Sequence, residues 1–292
     1  MHPRSSLVGP VHKAARTYRE CTFSMNRPLN PNKKTRMCSP NAGTTHPARA
    51  AQNDVVLIND SCFDAIQDLP DASVRLIIID PPYNMLAPGK SNRYKTQWKD
   101  KKWKLEEWKQ LLPHLWRILQ RGGRLLVFGK KRFFFQVCNI IDNEKSHGYD
   151  ELVWVHGRKD NMWATHQELS TSERIAVFYR KADSAEMKLS VRPDHSDMLH
   201  FPKDSSFKSM KPPALKQYLI ERYSGESDTV MDICMHTGVT GYAAVRAGRR
   251  FVGIERVPEL FDATSANLKR AAESADRALR VHMRVRADVV CA

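Results

Sequence analysis

Apolar residues along the chain fall into short runs separated by polar, Gly- and Pro-containing stretches. The most apolar of them, Val74-Arg75-Leu76-Ile77-Ile78-Ile79, is stopped by Asp80-Pro81-Pro82-Tyr83. A β-branched run this short, halted by two prolines that cannot donate to a ladder, predicts a buried strand emptying into a rigid loop. Runs of the same kind predict strands at Val55-Val56-Leu57-Ile58, at 125–129, 151–155 and 174–179, around residue 230, and at Phe251-Val252-Gly253-Ile254. Helical spacing appears between them. Leu105, Trp108, Leu112, Leu115, Trp116 and Leu119 share one face, and Leu215, Leu219, Ile220 and Tyr223 share another. Further helical segments are expected over 62–69 and 258–275, and Arg121-Gly122-Gly123 reads as the stop after the first long helix. The alternation predicts an α/β domain.

The loop after Ile79 presents an acid, a carbonyl and an aromatic ring together at a strand's carboxyl end, which is where ligands bind in open α/β sheets. By itself, a Pro-Pro loop is more simply a strand terminator. A second element changes the picture: Val230-Met231-Asp232-Ile233-Cys234-Met235-His236-Thr237-Gly238-Val239-Thr240-Gly241, followed by the strand that ends at Glu255. Strand, small-residue loop, helix, strand and terminal acid is the pattern of a nucleotide-type cofactor site. A third acid, Asp60, closes the strand at 55–58. It suits an exocyclic amine, because a carboxylate only accepts, and with Ser61 it suits a helix N-cap equally well.

A net charge of +15 and a pI near 9.7 over 292 residues favour a polyanionic partner, with a basic solvated surface as the plainer reading. Six cysteines with no CxxC pair suggest reduced thiols in an intracellular protein. No apolar stretch approaches the ~20 residues of a membrane helix. The first fifty residues carry nine Lys/Arg against the single acid Glu20 and show no sustained periodicity, so residues 1–52 are expected to be a disordered basic tail. Such a tail suits DNA backbone, an organelle leader, or an extension without function. Between Asn84 and Lys104, seven lysines and arginines interleave with Tyr94, Trp98 and Trp103, which fits either a strand-contacting loop or a solvated lid. The connection 157–172 holds His166, and His156 lies just before it. No Cys or carboxylate joins these two at metal-ligand spacing.

With both loop elements read, the chain resembles the amino-group DNA methyltransferases that use S-adenosyl-L-methionine. It is most similar to their permuted β class, in which DPPY precedes the cofactor loop. The resemblance covers about residues 54–275. It implies an α/β, permuted Rossmann-like class I methyltransferase fold: a seven-stranded mixed sheet with helices on both faces and the 151–155 and 174–179 strands as an antiparallel hairpin. It divides the chain into the basic tail 1–52, a methyltransferase domain over 53–275 with a target-recognition insert at 181–210, and a basic C-terminal tail over 276–292.

Residue by residue, the resemblance makes Asp80, Pro81, Pro82 and Tyr83 the catalytic element. It places Asp60 on the cofactor's adenine amine, Asp232 with Thr237, Gly238 and Thr240 at its methionine end, Glu255 on its ribose, and Lys211 of Lys211-Pro212 on the approach to that loop. No metal is implied. The expected partner is DNA, and a homodimer is compatible with the class. DPPY goes more often with adenine N6 than with cytosine N4, so adenine N6 is the expected target; cytosine N4 and an inactive DNA-binding subunit are the alternatives. The chain departs from the family loop DPFxGSGTTG at Ile233, Cys234 and His236. Replacing the first glycine by His236 removes a residue at ease with left-handed angles, which counts against tight cofactor binding.

Overall fold

The computed structural model describes residues 18–25, 54–81, 103–129, 131–143, 148–160, 170–180, 195–203, 211–274 and 279–286. In chain order the elements are β1 (Tyr18–Met25), β2 (Asp54–Asn59), α1 (Cys62–Ala65, continued by a 3-10 turn), β3 (Val74–Ile79), α2 (Leu105–Ile118), β4 (Leu119–Gly129), α3 (Lys131–Asn143), β5 (Tyr149–Asp160), β6 (Ser170–Tyr179) and β7 (Met198–His200). After these come α4 (Pro213–Tyr223), β8 (Thr229–Asp232), α5 (Val239–Arg246), β9 (Arg250–Ile254), α6 (Pro258–Ser274) and β10 (Leu279–Arg286).

The ten strands among the described residues join one mixed sheet in the order β1-β10-β2-β9-β8-β3-β4-β6-β5-β7. The five strands β2, β9, β8, β3 and β4 run parallel, and β6 pairs antiparallel with both β4 and β5, which is the hairpin the resemblance implied. Parallel strands are covered on both faces, which is why β3 is almost uninterruptedly apolar. Leu76 and Ile78 enter the core beneath α4, α5 and α6, while Ile77 and Ile79 enter the core beneath α1, α2 and α3.

All seven expected strands are present, and three more extend the sheet. Residues 18–25 lie within the expected disordered tail, yet they form β1, antiparallel to β10; the rest of 1–52 lies outside the described residues. Residues 279–286 lie within the expected C-terminal tail, yet they form β10, parallel to β2. The reason is an alternation that charge counting hides. Leu279, Val281, Met283 and Val285 turn toward the α6 core, and Arg280, His282, Arg284 and Arg286 alternate with them. Opposite the basic positions, β1 supplies Glu20 to Arg284 at 3.1 Å and Thr22 to His282 at 3.1 Å.

Two smaller corrections concern helices. The first long helix ends at Ile118 and Leu119 is already extended, so Gly122 and Gly123 lie inside β4 beside an irregularity in its pairing with β3. No expectation covered α3, although Phe134, Val137 and Ile141 keep helical spacing and are buried. Among the described residues no helix is long and apolar enough to cross a membrane.

The role of β10 is testable by a pair of substitutions. Val281 is buried between β1 and β2, whereas the neighbouring Arg280 is exposed. Val281→Asp leaves an uncompensated buried charge and is expected to cost about 3–5 kcal/mol in a denaturant titration. Arg280→Asp is expected to stay within about 0.5 kcal/mol of the parent, as surface changes do. Equal, small effects would mean that β10 is not integral to the sheet.

Candidate active site

Adjacent parallel strands bring their carboxyl ends to one edge of the sheet, and four acids lie along it in spatial order. Asp60 follows β2, Glu255 follows β9, Asp232 ends β8 and Asp80 follows β3. At the usual strand spacing the row spans about 15 Å. Residues separated by up to 195 positions in sequence thus share one cleft.

Each acid has a different set of partners. Asp60 accepts from the Ser61 N–H at 2.7 Å, the Tyr18 hydroxyl at 3.0 Å and Arg286 Nη1 at 3.2 Å. Its side chain does not cap α1, whose N-cap is Ser61. Glu255 accepts from the His236 and Val257 backbone N–H groups, both at 2.9 Å. Burial pushes its carboxyl above the ordinary carboxylate range, and those N–H groups oppose the shift. Asp232 is buried and accepts from the Thr240 hydroxyl at 2.5 Å and the Cys234 N–H at 3.0 Å. Its two expected contributions to a ligand, its own and that of Thr240, are therefore directed first at each other, closing the loop between β8 and α5.

That loop is held from behind by α6. The Thr264 hydroxyl donates to the His236 carbonyl at 3.0 Å and Asn267 Nδ2 donates to the Thr237 carbonyl at 2.6 Å. Gly238 turns into α5 with φ 77°, and a Cβ there would meet Thr264 Cγ2 at 2.4 Å. This glycine is required by helix packing as well as by its angle. His236 takes the left-handed conformation itself, φ 53°, an angle that a glycine would adopt without strain. Thr264 and Asn267 carry no motif signal; only their helical position facing the loop reveals them.

Asp80 has a different neighbour from the other acids. Lys211 Nζ lies 3.1 Å from its Oδ2 and 2.8 Å from Glu173 Oε2, with the rings of Phe128 and Trp154 at 5.3 and 5.6 Å. Burial draws the ammonium down, but the two carboxylates prevail and its pKa is raised overall. Lys211, which the resemblance places on the cofactor side, holds its ammonium between Asp80 and Glu173 of β6. A second buried lysine, Lys216, lies over Phe128 at 4.6 Å, and burial pulls it below its ordinary value. Neither Glu173 nor Lys216 belongs to a motif, and in sequence each is one charged residue in an ordinary strand or helix.

Pro81 is buried at the end of the row, while Pro82, Tyr83 and residues 84–102 lie outside the described residues. Of the rings assigned to that basic segment, Trp103 is in the core, 5.3 Å from both Phe63 and Trp108, so it presents no face to a nucleic acid. The connection residue His166 is also outside the described residues, and His156 is buried edge-on against Trp154 at 5.2 Å.

An acid-lined carboxyl edge, a tight turn into α5 after β8, and Asp80-Pro81 closing the earlier strand β3 define a class I methyltransferase fold in its permuted order. The chain belongs to the DNA methylase family of N6/N4 amino-methyltransferases, whose family model matches residues 74–266. It is therefore an S-adenosylmethionine-dependent DNA methyltransferase. Among curated relatives it is 22% identical over 246 residues to the type II methyltransferase M.HinfI of Haemophilus influenzae, covering 73% of this chain and 68% of that one. Among solved structures it is similar to TTHA0409 of Thermus thermophilus, with a TM-score of 0.57 at 21% identity over 78% of this chain and 99% of that one. The same Thermus protein is also known in complex with S-adenosyl-L-methionine. The cytosine-N4-specific PvuII DNA methyltransferase matches with a TM-score of 0.56 at 15% identity, covering 77% of this chain and 92% of that one.

His236 supplies a pH test. Burial holds its imidazole below the ordinary 6.5, against a smaller opposing pull from Asp80. The folded state prefers the neutral ring, so the associated stability is present above about 6.5 and declines as pH falls below it. His236→Gly removes that decline and relieves a left-handed side chain worth about 1 kcal/mol. The variant is expected to match or exceed the parent in thermal midpoint near neutrality and to lose less stability on going to about pH 5. A steeper acid dependence in the variant would show that the folded protein favours the charged ring.

Proposed function

We propose that the chain transfers the methyl group to N6 of adenine in DNA, with Asp80 as the acceptor that holds the target amine. The observation that carries this reading is the placement of Asp80 at the end of the buried strand β3, paired with Lys211 at 3.1 Å and continued by a proline. Adenine N6 is a poor nucleophile because its lone pair is delocalised into the ring, and positive charge grows on it as the new C–N bond forms. A carboxylate and the Pro81 carbonyl both accept from that amine and oppose the charge, in a loop stiffened before substrate arrives. Pairing of one Asp80 oxygen with Lys211 is compatible with accepting from the amine, since a carboxylate has about four acceptor sites. Pro82 and Tyr83 enter from the motif: the proline stiffens the loop, and the ring offers a face to a base withdrawn from the stack.

S-adenosylmethionine supplies the methyl group when bound, and the donors and acceptors along the acid row fit it. Asp60 accepts from an adenine amine in competition with Tyr18, and Glu255 accepts from ribose hydroxyls with the lone pairs its backbone partners leave. Asp232, Thr237, Gly238 and Thr240 act by shaping the turn at the methionine end. His236 does not argue for an inactive subunit, since its N–H holds Glu255 and its backbone has the angle of a glycine. DPPY favours adenine over cytosine as the base, and DNA is the macromolecule that a chain of charge +15 attracts.

The test is incorporation of tritiated methyl into DNA, with the modified nucleoside identified by mass spectrometry, alongside calorimetric cofactor titration. The expected product is N6-methyladenine. Asp80→Ala is expected to abolish transfer while cofactor affinity stays within a few-fold, because an interaction made in the transition state affects turnover more than binding. N4-methylcytosine as the product would overturn the choice of base. Near-parental transfer by Asp80→Ala would overturn the role of Asp80.

A further inference from the structure

We propose that Glu173 is a positioning residue for methyl transfer: through Lys211 it fixes the carboxylate of Asp80 and shares the lysine's charge. The inference rests on the reading of Asp80 as the amine acceptor.

Glu173 sits on β6, two strands away from β3 across β4, and its side chain is only 4% exposed. A carboxylate in such a place is costly unless a cation meets it. Lys211 meets it at 2.8 Å and is itself only 8% exposed, so the pair is a fixed post rather than a surface ion pair. Phe128 and Trp154 flank the ammonium and confine it sideways. Lys203 stands further out, 4.0 Å from the other Glu173 oxygen and more exposed. Asp80, at 24% exposure, is the wettest member of the chain Glu173-Lys211-Asp80 and the one nearest to where substrate must enter.

Two consequences follow from that order. An ammonium held at its far side by a rigid strand carboxylate presents its remaining protons in one direction, so the Asp80 oxygen bound to it is fixed and the other edge of the carboxylate faces a defined way. Without Glu173, Lys211 would be free to follow Asp80, and the orientation would be lost. The second consequence is electrostatic. A lone Lys211-Asp80 pair sums to zero and offers little to an amine that is becoming positive, whereas Glu173 shares the ammonium and draws part of its field away from Asp80, with Lys203 balancing the outer Glu173 oxygen. In this geometry Glu173 needs no contact with cofactor or base to act.

The experiment uses the full-length protein with Glu173→Gln and Glu173→Asp, read by single-turnover methyl transfer, steady-state kcat and KM, calorimetric cofactor binding and thermal midpoint. Glu173→Gln keeps the shape and an acceptor but removes the charge, and Glu173→Asp keeps the charge but draws it back by one methylene. Both are expected to lower the single-turnover rate, by up to about 100-fold as small misplacements of a reacting group do, with cofactor affinity near the parent and the fold retained at a lowered midpoint, since Glu173→Gln leaves the buried Lys211 with one carboxylate. The loss is expected in the transfer rate rather than in KM. In an Asp80→Asn background, Glu173→Gln is expected to add little further loss, because it acts through Asp80. A Glu173→Gln variant that transfers at the parental rate overturns the inference while leaving the role of Asp80 standing. Loss of cofactor binding or folding together with transfer, in both variants, also overturns it and makes Glu173 a structural residue. If Asp80→Ala is active, the reading beneath the inference has failed instead.

Discussion

Covering both faces of the central parallel strands is the constraint on which the other features of this protein depend. β2, β9, β8, β3 and β4 carry apolar side chains toward two separate cores, so polar residues are confined to strand ends. Because these strands run in one direction, their carboxyl ends fall on one edge, and the acids that terminate them are brought together without any local attraction among them. Like charges so placed repel one another. The fold tolerates the row because each acid is given its own donors: Tyr18 and Arg286 for Asp60, backbone N–H groups for Glu255, Thr240 for Asp232, and Lys211 for Asp80.

Those donors come from outside the strands that carry the acids. α6 does not line the acid row, yet it holds the loop after β8 through Thr264 and Asn267 and requires a glycine at 238. The edge ribbon of β1 and β10 brings Tyr18 and Arg286, opposite each other in register, to the same carboxylate. The ribbon thereby links the outermost strand of the sheet to the end of β2, and the sheet does not stop where the seven core strands do.

The loop at 232–241 shows how a departure in sequence is absorbed. Loss of the glycine expected at 236 counts against the loop only if its backbone angle is lost too. It is not lost: His236 adopts the left-handed angle, its N–H binds Glu255, and its carbonyl is held by Thr264. Several hydrogen bonds over-determine a conformation that a single non-glycine residue would not choose.

Much of this was legible in the chain itself. Alternation of short apolar runs with helical spacing determined the α/β class and the seven core strands, since periodicity reports directly which faces are buried. The acids Asp60, Asp80, Asp232 and Glu255 were visible because each directly terminates, or lies one or two residues beyond, an apolar run. The alternation in 279–286 was equally present, but a count of arginines conceals it. What only the tertiary structure decided is the partnership of charges. Lys211 lies 131 positions from Asp80 and 38 from Glu173 in the chain, and no local pattern distinguishes a lysine that solvates itself from one that β6 and β3 enclose. Burial and pairing of a charge depend on which strands become neighbours, and sheet order is a property of the whole chain.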